Sequence, residues 1–213
     1  MRIRIGSRPS RLAHAQVKEL MELFPGVSYE IIPIKTEGDR DKITPLIDRE
    51  ATDFFTGDIE KSLINGDVDA AIHSAKDLED SIPLGLTIAA ITRSISPYES
   101  LVSTGGLKLS ELRPGAVIGT SSKNRRSAIL RFRGDLVVKD IRGDIDERIA
   151  KLDKGMYDAI VVAHAALLRL RLYDRIAEVI STDVINPHPL QGKLAVQVRG
   201  DRKELIDLFR KGR

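Results

Sequence analysis

The feature that most constrains the fold is an alternation of short apolar, β-branched runs with helical patterns along almost the whole chain. The first cycle runs from a strand at 2–5 through a helix at 12–23 to a second strand at 29–34. This rhythm predicts an α/β fold with mixed, mostly parallel sheets flanked by helices. Further strands are predicted at 68–72, 86–91, 116–118, 136–141, 159–163 and 194–198, and further helices at 55–64, 122–132, 145–152, 167–172 and 204–209.

Two segments interrupt this rhythm and predict a chain that leaves one lobe and later returns to it. Residues 92–103 are polar and contain a proline, and residues 186–190 are rich in proline. We therefore expect an N-terminal lobe of residues 1–95 plus 191–213 and a second lobe of residues 96–190. Two such lobes would form a clamshell similar to that of periplasmic binding proteins. Ligands of open α/β sheets bind at the carboxyl ends of the strands, so the site is expected there.

Composition excludes several kinds of site. The 213 residues include no cysteine, which rules out disulfides, thiolate catalysis, zinc sites built on thiolates and iron–sulfur clusters within this sequence. The four histidines are isolated and show no spacing typical of metal ligands. We therefore expect no metal site.

Hydropathy and charge bear on the compartment and the partners. No apolar stretch approaches the ~20 residues that a membrane span needs, and the first residues lack the apolar region of a secretion signal. We expect a cytoplasmic protein with no membrane partner. The net charge is +3, with five Phe, four Tyr and no Trp. Few bases could stack on so few aromatic rings, and no nucleic-acid partner is expected.

The placement of arginine is the most informative chemical pattern. Arginines follow predicted strands or begin predicted helices at Arg8, Arg125, Arg126, Arg142 and Arg148. Helix N-termini at strand ends favour anions, and a guanidinium holds a carboxylate through two parallel hydrogen bonds. The pattern predicts a ligand with several carboxylates or phosphates. The alternative is that these arginines are ordinary surface charges.

Two short segments could take part in chemistry. The loop Gly119-Thr120-Ser121-Ser122 precedes a predicted helix, where amides and hydroxyls could bind an anion, although serine is also a common helix cap. Asp77 follows Lys76 just beyond an apolar strand. Such a carboxylate could stabilise a positive intermediate or transfer a proton. The alternative is a loop aspartate paired with the neighbouring lysine.

Taken together and in this order, several segments resemble the signature of the porphobilinogen deaminases (hydroxymethylbilane synthases). The matching segments are I-R-I-G-S-R-P-S at 3–10, T-E-G-D at 36–39, H-S-A-K-D at 73–77, G-T-S-S at 119–122, R-G-D-I-D-E-R at 142–148, K-L-D-K-G-M-Y-D-A-I at 151–160 and Q-G at 191–192. The resemblance covers residues 1 to about 200 and corresponds to the first two domains of that family.

The resemblance implies a transferase of tetrapyrrole and heme biosynthesis. Such an enzyme condenses four porphobilinogen molecules into a linear tetrapyrrole, with release of ammonia, on a dipyrromethane cofactor. By the same resemblance, Asp77 would be the catalytic carboxylate. The residues that would hold the acetate and propionate side chains of cofactor and substrate are Arg8, Ser10, Lys76, Ser122, Arg125, Arg142, Arg148, Arg169 and Gln191.

The sequence departs from the family pattern in ways that bear on activity. That family carries its cofactor on a cysteine of a third domain, which we expect to be absent here, and this sequence has no cysteine. Asp48 and Thr52 stand at positions that are usually lysine, Asn124 at one that is usually arginine, and Gln197 at one that is usually glutamate. Leu190 and Lys193 flank Gln191-Gly192, where glycine and alanine are usual.

Three explanations remain open at this stage. The chain could be one half of a split enzyme whose cysteine-bearing domain is a separate partner. It could be a minimal enzyme that binds its primer without a covalent bond. The third explanation is a non-catalytic two-lobed binding protein for a small polycarboxylate or pyrrole ligand.

Overall fold

The computed structural model describes residues 2–41, 53–79 and 81–211. Its strands are β1 (Arg2–Ser7), β2 (Ser28–Pro33), β3 (Ala70–Ser74), β4 (Leu86–Ile91), β5 (Glu99–Ser103), β6 (Val117–Gly119), β7 (Val137–Lys139), β8 (Ala159–Ala163), β9 (Glu178–Ile180) and β10 (Leu194–Arg199). Its α-helices are α1 (Arg11–Met21), α2 (Glu37–Arg40), α3 (Gly57–Asn65), α4 (Lys123–Phe132), α5 (Ile145–Asp153), α6 (His164–Arg169) and α7 (Lys203–Arg210). Among these described segments, no helix is both long and apolar enough to cross a membrane.

The described residues divide into two units. The first contains residues 2–41, 53–79, 81–95 and 193–211, and the second contains residues 96–192. Each unit has a five-stranded mixed sheet with helices packed on it. The prediction of two mixed, mostly parallel sheets flanked by helices is confirmed.

The first sheet has the strand order β2-β1-β3-β10-β4. On one face, Ile5 packs with Val17 of α1 and Phe209 of α7, and on the other, Ala71 packs with Ile59 of α3. Because both faces are covered, four of the five residues of β3 are buried, His73 among them, rather than every second one.

The second sheet has the strand order β7-β6-β8-β5-β9. Ile118 packs with Ile129 of α4 on one face, and Ile160 packs with Ile149 of α5 and Leu167 of α6 in a separate cluster. The two units therefore have separate hydrophobic cores.

Both sheets contain one reversed strand in the same place. In the first, β10 pairs antiparallel with β3 and β4, while β1 pairs parallel with β2 and β3. In the second, β5 pairs antiparallel with β8 and β9, while β6 pairs parallel with β7 and β8. Each reversed strand is the first that the chain forms after leaving the other unit. The remaining strands of each sheet run in one direction, so their carboxyl ends meet at one edge.

The structure corrects the interpretation of two regions. Residues 92–103 were expected to form only a polar crossing, yet 99–103 form β5. Its polar residues are buried because they have distant partners: Glu99 bonds Arg125, and Ser100 bonds His164. Strand β9 was not predicted at all, since three residues are too few to show a period.

Candidate active site

In the first unit, the ends of β1 and β3 bring four of the predicted site residues to one edge of the sheet. These strands are parallel neighbours, with Ile5 opposite Ala70. Arg8 and Ser10 follow β1. Lys76 and Asp77 follow β3 in the single turn of 3-10 helix Ala75–Asp77.

Asp77 is half-buried at the end of that turn. Its charge acts on the buried ring of His73, where it favours the protonated imidazole. The backbone N–H of Ala75 donates to the carbonyl of Lys193 at 3.0 Å, which ties the turn to the start of β10. The turn that presents Asp77 is therefore anchored on both β3 and the adjacent strand.

Arg8 already has an acidic partner within its own unit. Its Nη2 lies 2.6 Å and its Nε 3.1 Å from Oδ1 of Asp39. Its guanidinium also sits 4.5 Å from the centre of the Phe55 ring. Burial raises the pKa of Asp39, but hydrogen bonds from Arg8 and Thr36 outweigh it and hold this pKa below its usual value. A ligand carboxylate at Arg8 would share the guanidinium with Asp39.

The T-E-G-D segment builds this acidic partner. Asp39 accepts from the Thr36 backbone N–H at 3.1 Å and from its hydroxyl at 3.0 Å, closing the first turn of α2. Gly38 packs against Phe55, and a Cβ on Gly38 would lie 2.2 Å from that ring. Glycine is required here because any larger residue would displace the ring that covers Arg8.

In the second unit, the parallel strands β6, β7 and β8 end at one edge, and the predicted residues follow them. Ser122 comes three residues after β6, Arg142 three residues after β7, and His164 directly after β8. Because β5 is antiparallel to β8, its first residue, Glu99, lies opposite Ala163 at the same edge. Ser122 and Arg142 therefore lie at the edge where these parallel strands end, and His164 and Glu99, which were not predicted, lie at the same edge.

Arg125 forms a buried ion pair. Its Nη2 lies 2.7 Å from Oε2 of Glu99, its Nε donates to Oε1 at 2.8 Å, and its Nη1 donates to the carbonyl of Val161 at 3.2 Å. Arg125 is 8% exposed and Glu99 is 4% exposed. The geometry gives Arg125 a structural partner that the sequence reasoning did not foresee. A role for it in binding a ligand stays a prediction.

The two predicted serines are helix caps. The Ser10 hydroxyl accepts from the Ala13 N–H at 3.2 Å and caps α1. The Ser122 hydroxyl accepts from the Arg125 N–H at 3.4 Å and caps α4. Each hydroxyl satisfies a backbone donor that the first helical turn leaves without a partner, and its position at a strand end also suits an anion.

Three further arginines hold main-chain carbonyls or are buried. Arg148 Nε donates to the carbonyl of Gly143 at 2.8 Å, and Arg169 Nη2 donates to the carbonyl of Gly192 at 2.9 Å. Arg142 is 6% exposed, and its own carbonyl accepts from Lys151 Nζ at 2.7 Å. The bonds to Gly143 and Gly192 orient the side chains of Arg148 and Arg169.

The remaining predicted positions lie near the second crossing or outside the described residues. Gln191 is 1% exposed, and its Nε2 lies 3.4 Å from the carbonyl of Tyr98. Asn124, at the position where the family usually has arginine, donates to the carbonyl of Asn186 at 2.8 Å. Asp48 and Thr52 lie outside the described residues.

Sequence reasoning missed several polar groups at these edges. His164 Nδ1 lies 2.7 Å from the hydroxyl of Ser100, and burial lowers the pKa of His164. A chain of buried polar side chains, formed by His73, Gln197 and Glu60, lies in the first unit. The available signal was the polar residue within an otherwise apolar strand, at His73 and at Gln197.

Comparison with known proteins identifies the family to which this chain belongs. The family model described as "Porphobilinogen deaminase, dipyromethane cofactor binding domain" matches residues 3–207. The chain belongs to the porphobilinogen deaminase family. Its relatives include porphobilinogen deaminases of Pelotomaculum thermopropionicum, 40% identical over 98% of this chain and 68% of the relative, and of Thermus thermophilus, 42% identical over 92% and 64%. The chain thus spans about two thirds of the length of these porphobilinogen deaminases.

The fold of this member of the porphobilinogen deaminase family is shared with binding proteins. A probable amino-acid ABC transporter extracellular-binding protein of Bacillus subtilis aligns over 100% of this chain and 90% of its own, with a TM-score of 0.56 and 13% identity. At that identity the likeness concerns the fold alone. The family match supports the transferase hypothesis and does not support the alternative of a non-catalytic binding protein.

Proposed function

We propose that this chain is the substrate- and cofactor-binding part of a transferase that condenses four porphobilinogen molecules into a linear tetrapyrrole. In each cycle the bond from the aminomethyl carbon to its protonated nitrogen breaks, and ammonia leaves with the bonding electron pair. A bond then forms from that carbon to the end of the growing chain, and one proton is lost. The Asp77 carboxylate assists the departure of the amino group and stabilises the cationic azafulvene that remains.

The observation that carries this proposal is the position of Asp77. It is a half-buried carboxylate on a one-turn helix, directly after a strand buried on both faces. The turn is anchored to β10 through Ala75, so the carboxylate is held by rigid elements rather than by a long loop. A carboxylate so placed can oppose positive charge as it develops on a substrate, because its position does not have to be reorganised.

The acidic side chains of porphobilinogen suit the donors at the two strand-end edges. In the first unit these are Arg8, Ser10 and Lys76. In the second unit the proposed donors are Ser122, Arg125, Arg142, Arg148, Arg169 and Gln191. Each edge combines cations with the N-terminus of a helix, and both features favour carboxylates. We propose that each edge binds acetate and propionate groups.

The same donor residues show which parts of a dipyrromethane cofactor this chain could hold. Its acidic side arms suit arginines oriented by main-chain carbonyls, as Arg148 and Arg169 are. When bound, it would supply the primer to which substrate units are added. Its thioether does not suit this sequence, which contains no cysteine among 213 residues. We propose that the sulfur comes from a separate cysteine-bearing domain, or that the primer is held without a covalent bond.

Asp77→Asn tests the proposal, with Asp174→Asn as the matched control at a carboxylate of the second unit that does not belong to the proposed site. The protein is incubated with porphobilinogen and a dipyrromethane primer while substrate consumption and ammonia release are followed. We expect Asp77→Asn to lower turnover at least about a hundredfold, the order typical of a lost acid–base or electrostatic group, with carboxylate binding preserved. The control should retain full turnover.

Two results would overturn the proposal. One is normal turnover by Asp77→Asn. The other is an unaltered protein that binds neither porphobilinogen nor the primer, as judged by the colour of bound pyrroles with an acidic aldehyde reagent.

A further inference from the structure

The guanidinium of Arg8 is enclosed on two sides by residues of its own unit. Along one edge, Nε and Nη2 both donate to Oδ1 of Asp39, at 3.1 and 2.6 Å. On one face lies the ring of Phe55, whose centre is 4.5 Å from the guanidinium carbon. Within the part of the chain that the structure describes, Nη1 has no hydrogen-bond partner. The Nη1 end is therefore the part of Arg8 that is open to a ligand.

Asp39 is held in place by contacts that do not involve Arg8. The backbone N–H and the hydroxyl of Thr36 both donate to Oδ2 of Asp39, at 3.1 and 3.0 Å. The Asp39 side chain is 13% exposed and that of Arg8 is 28% exposed, so the carboxylate is the more deeply placed of the two. Asp39 would therefore remain beside Arg8 when a ligand binds.

This arrangement changes what Arg8 can offer to an acidic ligand. An acid group bound at Nη1 would meet the positive charge of Arg8 and, behind it, the negative charge of Asp39. Repulsion by Asp39 would offset part of the attraction, since like charges a few ångströms apart oppose each other. Arg8 then provides a hydrogen-bond donor of fixed direction but little net charge. Such a contact suits an acid group that must bind and later leave.

We propose that Asp39 is a positioning residue that fixes the direction of Arg8 and weakens its hold on ligand carboxylates, so that acid side arms are released between condensations. The growing chain gains acid groups with each condensation, and these groups must move past cations that stay where they are. Arg8 without Asp39 would retain such a group and slow that movement. The inference rests on the function proposed above.

Asp39→Asn tests the proposal, because it removes the charge but leaves an oxygen that can accept from Thr36. A dipyrromethane primer is titrated into the protein, and turnover of porphobilinogen is measured in parallel. We expect the Kd of the primer to fall at least about fivefold, since a repulsive charge near the bound acid is removed, and kcat and KM to fall together. A residue that only supported the fold would instead weaken primer binding and raise KM.

Glu30→Gln is the matched control, since it removes the same charge from the same unit. Glu30 pairs with Arg2, at the opposite end of β1 from Arg8. At about 3.3 Å per residue, β1 separates the two places by roughly 15–20 Å, and charges so far apart are largely screened in about 0.1 M salt. We expect the Kd, kcat and KM of the unaltered protein. Equal effects of Glu30→Gln and Asp39→Asn would overturn the proposal, because net charge alone would then govern binding.

A further pair of variants shows whether Asp39 faces the bound acid. In Arg8→Gln the Asp39 carboxylate loses its cation and should repel the primer. Adding Asp39→Asn removes that repulsion, so the double variant should bind the primer at least about threefold more tightly than Arg8→Gln alone. A double variant that binds no better than Arg8→Gln contradicts the proposal.

The unaltered protein supplies a test that does not depend on the folding of any variant. Side-chain ¹H–¹⁵N spectra report whether the Nε hydrogen of Arg8 is hydrogen-bonded and how slowly it exchanges with water. We expect this hydrogen to stay bonded both without primer and with saturating primer, because Asp39 keeps that edge of the guanidinium. Loss of the bond when the primer binds overturns the proposal.

The outcomes separate this inference from the proposed function. If the unaltered protein binds neither the primer nor porphobilinogen, the function fails and this inference fails with it. If it binds the primer without turnover, the transferase function fails while the primer titrations still decide the role of Asp39. If turnover is found but Asp39→Asn does not tighten primer binding, this inference alone is wrong. If Asp39→Asn does not fold, the spectra of the unaltered protein decide.

Discussion

At the scale of single residues, one arginine of the predicted site in each unit forms an ion pair with an acidic residue of the same unit. Arg125 has Glu99, and Arg8 has Asp39. These partners are 26 and 31 residues apart in sequence. An arginine at a strand end therefore cannot be assigned to a ligand from its position alone.

The Arg125–Glu99 pair leads to a prediction about stability. Arg125→Met would leave Glu99 buried with its partner removed, and loss of one member of a buried pair typically costs about 3–5 kcal/mol. We expect that loss in urea unfolding. Arg175→Met, which breaks the more exposed pair with Asp153, should cost at most about 1 kcal/mol. Equal effects of the two changes would show that the Arg125 pair is not the structural contact described.

The pKa of His73 predicts how the free energy of unfolding changes with pH. Its pKa is about 4 in the folded protein and 6.5 in its ordinary state. The unfolded chain therefore binds more protons between these values, and the free energy of unfolding falls as the pH drops from 6.5 to 4. The full loss is about 3 kcal/mol, since each unit of pKa corresponds to about 1.4 kcal/mol. Urea unfolding at a series of pH values measures it.

The control for this pH dependence is His73→Gln, which cannot titrate. It should lose most of the decline between pH 6.5 and 5, where few carboxyl groups change charge; His164, whose pKa burial also lowers, accounts for the remainder. A second decline, at lower pH, is expected from Asp69. Burial raises the pKa of Asp69, but bonds from Arg4 and Arg202 lower it to about 2, so its stabilising effect is lost as pH falls below about 4. A flat profile between pH 6.5 and 5 in the unaltered protein would contradict the assignment of His73.

At the scale of elements, the capping residue of a helix that begins at a strand end has both a structural role and a proposed binding role. Two substitutions of Ser10 separate these roles. Ser10→Ala removes the cap of α1 and should cost about 1 kcal/mol. Ser10→Asp keeps a capping oxygen and should retain stability, yet its charge should weaken binding of a carboxylate ligand. Urea unfolding and porphobilinogen titration test both; unchanged binding by Ser10→Asp would remove Ser10 from the site.

The elements that sequence could predict are those with a dense local signal. Residues 86–91 and 159–163 were predicted as strands with the bounds that β4 and β8 have. Strand β5 was missed because Glu99 and Ser100 are polar, and their burial depends on Arg125 and His164. Helix α6 begins at His164, three residues before its predicted start, because it follows β8 without a loop.

At the scale of the whole molecule, each unit has its own core. Phe209 of α7 is fully buried and packs edge-to-face on Phe24, with ring centres 5.3 Å apart. Phe209→Ala should cost about 3–5 kcal/mol. We expect faster amide hydrogen exchange chiefly in β3, β10 and β4. Ile118→Ala should act chiefly on β6, β7 and β8, and the same exchange pattern for both variants would contradict separate cores.

The absence of cysteine from the sequence leads to a prediction about the cofactor. Intact-mass measurement after incubation with porphobilinogen and denaturation should return the unmodified mass of the 213-residue chain, because a pyrrole has no thiol here on which to form its thioether. Native mass measurement of the same sample should show bound pyrrole. A covalent pyrrole adduct that survives denaturation would show another attachment chemistry.

The sequence by itself determined the α/β architecture and the family, because apolar periodicity and ordered motifs are local and can be read without coordinates. It also predicted the strand-end positions of Arg142, Ser122 and Asp77, since residues after parallel strands share an edge. Only the tertiary structure decided that Arg125 pairs with Glu99, Arg8 with Asp39, and His73 with Gln197. Those pairings depend on which strands are neighbours and which faces are covered, and residues more than a hundred positions apart, such as His73 and Gln197, meet only when the sheet forms.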